Sequence, residues 1–199
     1  MRGVDSLSAS PPISRLARPI ALVGLMGCGK TTVGSRVAKL LNAPFRDADA
    51  EIVAAAGLSI PEIFEKHGEA EFRRGEERVI ERLLTEEPMI LATGGGAFMS
   101  LATRTAIKKA GGAVWLHADL ETLMERTGRR DTRPLLKNGD PKEILSGLMA
   151  QRYPVYAEAD IRVESTPKGT AEDVARSIVA ALEAHDVATP HAPFLKAPK

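Results

Sequence analysis

The sequence predicts an α/β protein, a parallel sheet with helices on both faces, and two observations predict it. Short apolar runs alternate with helical stretches, which implies βαβ units. The first apolar run ends in Gly24-Leu25-Met26-Gly27-Cys28-Gly29-Lys30-Thr31, a match to G-x-x-x-x-G-K-[ST] placed after a strand and before a helix. The 199 residues are enough for one domain and its core without disulfides or metal. That domain is expected over residues 19–185, with a flexible extension at 1–18 and a flexible tail at 186–199.

Ile20 to Val23 is a continuous apolar run, as a strand buried on both faces requires. Val33, Val37, Leu40 and Leu41 then recur at helical spacing, and Asn42 and Pro44 close that helix. Pro44 to Arg46 reads as a short second strand leading into Asp47-Ala48-Asp49. A helix-rich region from about residue 50 to 84 is punctuated by Gly57, Pro61, Gly68 and Gly75. Met89 to Ala92 is a third buried strand, running into Thr93-Gly94-Gly95-Gly96. A helix near Leu101 to Ala110 and a fourth strand, Ala113 to Leu116, follow.

The helix near Leu120 to Arg126 gives way to a polar loop at 127–138, rich in arginine and hinged on glycine. Pro141 to Ala157 reads as a helix, Ile161 to Val163 as an edge strand, and Ala171 to Ala184 as a closing helix. The tail from His185 carries Pro190, Pro193 and Pro198 and is expected to be mobile. Ligands of such sheets gather at the carboxyl ends of the strands, where the glycine and acidic clusters fall.

Composition narrows the function. An apolar fraction of 44% and a charged fraction of 27% are ordinary for a globular chain. A net charge of +1 argues against a broad nucleic-acid or acidic-membrane surface. No apolar run approaches the roughly 20 residues that span a bilayer. The single cysteine, Cys28, rules out an intrachain disulfide and fits a reducing compartment, so a cytoplasmic location is expected.

The glycine-rich string is the strongest signal. Its glycines let the backbone curl until successive N–H groups converge on phosphate oxygens, and the helix starting at Lys30 adds its positive dipole end. Lys30 is placed to reach the β- and γ-phosphates of ATP, and the Thr31 hydroxyl to ligate Mg²⁺. Cys28 contributes its backbone; no paired histidine marks it as a nucleophile.

Most phosphate-loop proteins anchor the metal with an Asp after a second apolar strand. Met89 to Ala92 ends in glycines instead, which leaves Asp47 as the metal anchor and Asp49 to face an acceptor hydroxyl. Either carboxylate also suits a helix cap, and the two roles are compatible. The triple glycine fits close approach of backbone N–H groups to a ligand and fits a flexible turn nearly as well. Arg73, Arg74 and Arg152 can bind a carboxylate bidentately, or stand solvated as most surface arginines do. Arg129, Arg130 and Arg133, in the polar loop, could close over the phosphates and offset charge there.

Taken in order, Gly24 to Gly34, Asp47-Ala48-Asp49, Ile63-Phe64-Glu65, Gly68 to Arg73, Thr93 to Gly96, Arg133-Pro134-Leu135-Leu136 and Arg152-Tyr153-Pro154-Val155-Tyr156 resemble the shikimate kinase family. The resemblance covers roughly Pro19 to Leu182. It implies a three-layer P-loop fold of the nucleoside monophosphate kinase type, with a five-stranded parallel β-sheet flanked by helices and a mobile lid at about 127–138. It implies MgATP-dependent phosphorylation of the shikimate 3-hydroxyl, in aromatic amino-acid biosynthesis, by a monomer.

Carried over by motif, Gly27, Cys28, Gly29, Lys30, Thr31 and Thr32 would hold ATP, with Arg126, Thr166 and Pro167 beside the adenine. Asp49, Arg73, Gly94, Gly95, Gly96 and Arg152 would hold shikimate, the two arginines on its carboxylate. Lys30, Asp49 and the lid residue Arg133 would be catalytic, and Thr31 and Asp47 would position the metal. Ala157 follows Tyr156 where family members often carry an arginine, so a second arginine there is not expected. A gluconate-type kinase, a nucleoside monophosphate kinase and a nucleotide-driven switch are the competing readings.

Overall fold

Every residue of β1 (Ile20–Val23) is buried, as its unbroken apolar run dictates. In the computed structural model, which describes residues 16–128, 139–166 and 169–196, this strand lies at the centre of a five-stranded parallel sheet. The strand order is β2-β3-β1-β4-β5, with β2 at Phe45–Asp47, β3 at Ile90–Ala92, β4 at Gly112–His117 and β5 at Ile161–Glu164. Ile20 pairs with Ile90 on one side and Gly112 on the other. β5 alternates buried apolar with exposed charged residues, the pattern of an edge strand covered on one face.

The connections are helical: α1 (Lys30–Leu41), α2 (Ala48–Ala56), α3 (Ile60–Leu84), α4 (Leu101–Ala110), α5 (Leu120–Gly128), α6 (Pro141–Tyr156) and α7 (Ala171–Ala188). α1 turns Val33, Val37 and Leu41 inward at helical spacing. It carries the chain from β1 to the edge strand β2, and β3 later fills the slot between them. The carboxyl ends of β1, β3 and β2 therefore lie side by side. Thr93 stitches two of them together, its N–H and hydroxyl both donating to the Leu22 carbonyl.

The punctuation between residues 50 and 84 divides unequally. α2 stops at Gly57, and Ser59 starts α3 through a reciprocal capping box with Glu62. Pro61 sits in the first turn, where its missing N–H costs nothing. Gly75 lies within the helix, whereas Gly68 adopts φ 76° and ψ 169° and kinks it. Ile52, Ile63 and Phe72 pack beneath this bend as a second, smaller core apart from the main one.

The closing segment departs from the expected mobile tail. α7 runs past Ala184 to Ala188, and the chain after it folds back. Asp186 accepts the N–H groups of Phe194 at 2.7 Å and Leu195 at 2.8 Å, and Phe194 stacks on His185. Leu195 forms an antiparallel bridge with Leu16, which lies in the stretch expected as a flexible extension. Leu16, Phe194 and Leu195 are all buried. Their apolar side chains reach the core despite the neighbouring prolines. No described helix is long and apolar enough to cross a membrane.

Candidate active site

α1 begins at Lys30, so Gly27, Cys28 and Gly29 lead into its first turn and Lys30, Thr31 and Thr32 form it. The first N–H groups of a helix have no carbonyl partner within it, and with the helix dipole they favour an anion. Lys30 Nζ donates to the carbonyls of Gly24 at 2.7 Å and Leu25 at 3.0 Å, which lays the ammonium along the loop. The Thr31 hydroxyl donates to Asp47 Oδ2 at 2.7 Å. Asp47 Oδ1 accepts the N–H groups of Asp49 and Ala50, capping α2. One carboxylate thus caps a helix and meets the phosphate loop.

Arg126 reaches the same loop from α5. Its Nη1 donates to Ser165 Oγ at 2.8 Å and to the Cys28 carbonyl, and its Nη2 donates to the Thr166 carbonyl at 2.8 Å. Ser165 Oγ also donates to the Cys28 carbonyl, so the loop, α5 and the segment after β5 share one buried junction. Arg133, Arg129 and Arg130 of the expected lid lie outside the described residues, as does Pro167. The Cys28 thiol is buried.

The triple glycine is a cradle rather than a loose turn, because each member lies under a charged side chain. A Cβ on Gly94 would stand 2.6 Å from Glu76 Oε1 and 2.9 Å from Asp49 Oδ1. One on Gly96 would stand 2.6 Å from both terminal nitrogens of Arg73, and one on Gly95 3.5 Å from Arg152 Nη1. At Gly94 and Gly96 a Cβ would force these side chains to shift, whereas at Gly95 the contact is of ordinary van der Waals length. Arg152 Nη1 donates to the Gly95 carbonyl at 3.0 Å, and the Tyr156 hydroxyl donates to the same oxygen.

α3 separates its adjacent arginines. Arg74 pairs with Glu71 on the exposed face, the solvated role most arginines fill. Arg73 turns inward, lies over the Phe72 ring and donates to Glu76 Oε2 at 2.6 Å. Its hydrogen bonds to Glu76 and Glu69 outweigh burial and raise its pKa, so it stays cationic. Burial raises the Glu76 carboxyl more than Arg73 lowers it. Burial, followed by the charge of Asp47, raises Asp49 above the ordinary aspartate value, while Lys30 and Arg73 pull it back. Glu76 Oε1 and Arg152 Nε are buried without a hydrogen-bond partner among the described residues.

These groups open into one cleft of about 1330 Å³ at the carboxyl ends of β1, β2 and β3. The phosphate loop lines it together with Asp49, Arg73, Gly94 to Gly96 and Arg152, and Gly95 adjoins the loop at Gly24 and Met26. Ile60, Phe64 and Phe72 from the smaller core form an apolar wall. Glu76, Ser165 and Tyr156 escaped the sequence reading as site residues. Glu76 had a usable signal, since it falls three residues after Arg73 on one helical face. Ser165 had none, because its partners lie far away in the chain.

A family model described as shikimate kinase matches residues 26–183. The shikimate kinase of Paramagnetospirillum magneticum is 53% identical over 184 residues, 90% of this chain and 94% of that protein. The structure of a shikimate kinase from Acinetobacter baumannii in complex with shikimate superposes with a TM-score of 0.81 at 40% identity, covering 85% of this chain and 95% of that one. A gluconokinase from Sinorhizobium meliloti shares the fold alone, with a TM-score of 0.62 at 17% identity over 89% of this chain and 98% of that one. An anion-binding loop and a cationic, glycine-floored recess in one cleft, together with identity at this level over nearly the whole domain, lead to one assignment: the chain belongs to the shikimate kinase family, whose members are ATP-dependent kinases.

Proposed function

We infer that this chain transfers the γ-phosphoryl group of ATP to the 3-hydroxyl of shikimate, giving shikimate 3-phosphate and ADP for aromatic amino-acid biosynthesis. The observation that carries this reading is the shared cleft, lined by phosphate-loop donors and by two arginines, a half-buried aspartate and a glycine floor that adjoins the loop. An acidic polyol suits that second set of residues. Arg73 and Arg152 take its carboxylate, and Asp49 takes its hydroxyls.

The N–H groups from Gly27 to Thr32 hold the polyphosphate, and Lys30 follows the charge that develops between the β- and γ-phosphates. Arg126, Thr166 and Pro167 flank the adenine. Thr31 and Asp47 present two hard oxygen donors hydrogen-bonded to each other, a set that fits Mg²⁺. Among the described residues no group of three or more His, Cys, Asp or Glu is arranged to hold a metal ion, so a metal here would draw its other ligands from phosphate and water. Bound there, Mg²⁺ neutralises phosphate charge. The shikimate oxygen attacks the γ-phosphorus in line, the bond to the β-phosphate oxygen breaks, and Asp49 orients the hydroxyl and accepts its proton. Arg133 offsets charge on the transferring group from the lid.

A net charge of +1 gives no broad basic surface for nucleic acid or an acidic membrane, and we assign the activity to a monomer acting on small molecules. A cytoplasmic site of action accords with a single, buried cysteine. The test is ATP consumption with shikimate, gluconate and AMP offered separately. Shikimate alone should stimulate turnover, and Lys30→Ala should abolish it. Stimulation by gluconate or AMP with shikimate inert would overturn the acceptor, and no stimulation by any of the three would favour a nucleotide switch.

A further inference from the structure

We infer that Tyr156 is a positioning residue for acceptor binding: its hydroxyl fixes the Gly95 carbonyl and, through that peptide, the Arg152 guanidinium and the Gly96 N–H. The inference rests on the acceptor reading above. Tyr156 closes α6 four residues after Arg152, so one helical face presents both side chains. Its ring is fully buried beside Phe98, Trp115 and Tyr153. From that aromatic layer the hydroxyl donates to the Gly95 carbonyl, where Arg152 Nη1 donates as well.

A carbonyl oxygen has two lone pairs, and two α6 side chains here supply a donor for each. Positions 94, 95 and 96 have no side chains to hold the backbone, so these hydrogen bonds set the plane of the peptide after Gly95. That peptide is trans, which points the Gly96 N–H away from the two donors. Gly96 and Arg152 both line the cleft. Arg152 has to keep its grip on Gly95 while engaging an acceptor carboxylate; Tyr156 stays behind it, its hydroxyl beside both the Gly95 carbonyl and the Arg152 guanidinium. Burial raises the phenol's pKa well above its ordinary value, with Arg152 opposing less strongly, so the group remains a donor throughout the neutral range. Without it, the peptide turns more freely and the arginine loses a fixed anchor.

Tyr156→Phe keeps the ring and removes only this donor. The expected result is a KM for shikimate raised about five- to tenfold, the scale of one net hydrogen bond, with kcat and the KM for ATP within about twofold of wild type. Tyr153→Phe is the control. Tyr153 donates to the Ala118 carbonyl and does not line the cleft, so this variant should leave all three constants unchanged. An unchanged KM for shikimate overturns the inference, as do a parallel rise in both KM values and the same defect in Tyr153→Phe. Failure of Tyr156→Phe to give a cooperative thermal melt also overturns it, since the hydroxyl would then serve the fold. If the wild-type chain does not turn over shikimate at all, the acceptor reading falls and this inference with it. Wild-type turnover with an unaffected variant removes the inference alone.

Discussion

At Gly94 a single methyl group would strike two carboxylates, Glu76 at 2.6 Å and Asp49 at 2.9 Å. Neither can retreat easily, because Glu76 is held by Arg73 and both are largely buried. Gly94→Ala should therefore displace Asp49 and lower turnover of shikimate on the order of 100-fold, the loss that small misplacements of reacting groups bring. Steady-state kinetics checks this, and a decrease under about threefold would contradict it. Acidity gives a second test. A carboxyl raised in the folded state favours its protonated form there. Asp49 and Glu76 thus contribute stability below the ordinary carboxylate range and lose it as pH rises through their folded values. Turnover needs Asp49 ionised and runs the opposite way. On acidification kcat/KM for shikimate should fall with an apparent pKa above the ordinary aspartate value of 3.8, and a limb at or below that value would contradict the assignment. The lysine, the aspartates and the arginines were legible because each residue type has a chemistry of its own. Ser165 was not, because its importance comes from partners that only the fold supplies, whereas Glu76 carried a local signal in its helical spacing from Arg73 that its residue type alone does not announce.

Among the elements, α3 shows how context separates residues that look alike in sequence. Gly57, Gly68 and Gly75 are equivalent punctuation in the chain, yet one ends a helix, one kinks a helix and one lies within it. At Gly68 the backbone occupies a region open almost only to glycine, while nothing lies within 4 Å of where a Cβ would stand. The constraint is therefore one of backbone conformation, with no packing component. Gly68→Ala should cost about 1–3 kcal/mol in denaturant unfolding if the kink persists. If α3 straightens instead, the arm carrying Ile60 and Phe64 leaves the cleft wall and the KM for shikimate rises. A variant unchanged in both measurements would contradict the account. The central strands were readable because their apolar runs are short and flanked by glycine or proline, which decides for strand over buried helix.

Across the whole molecule, the parallel sheet and its cleft follow from the alternation of strands and helices, whereas the packing of the chain's outer segments does not. Prolines near residue 190 predicted a mobile tail; the structure instead buries Phe194 against Gly112, the first residue of β4. That site is at the opposite end of the strands from the cleft. Phe194→Ala should lower stability by about 3 kcal/mol, seen as a fall in melting temperature, with both KM values unchanged. A shift in either KM would show that the two ends of the sheet are coupled. The bridge between Leu16 and Leu195 carries a consequence for biosynthesis. Its two halves stand 179 residues apart in the chain, so the earlier one leaves the ribosome long before its mate, and that corner stays unsealed until residue 195 has cleared the exit tunnel.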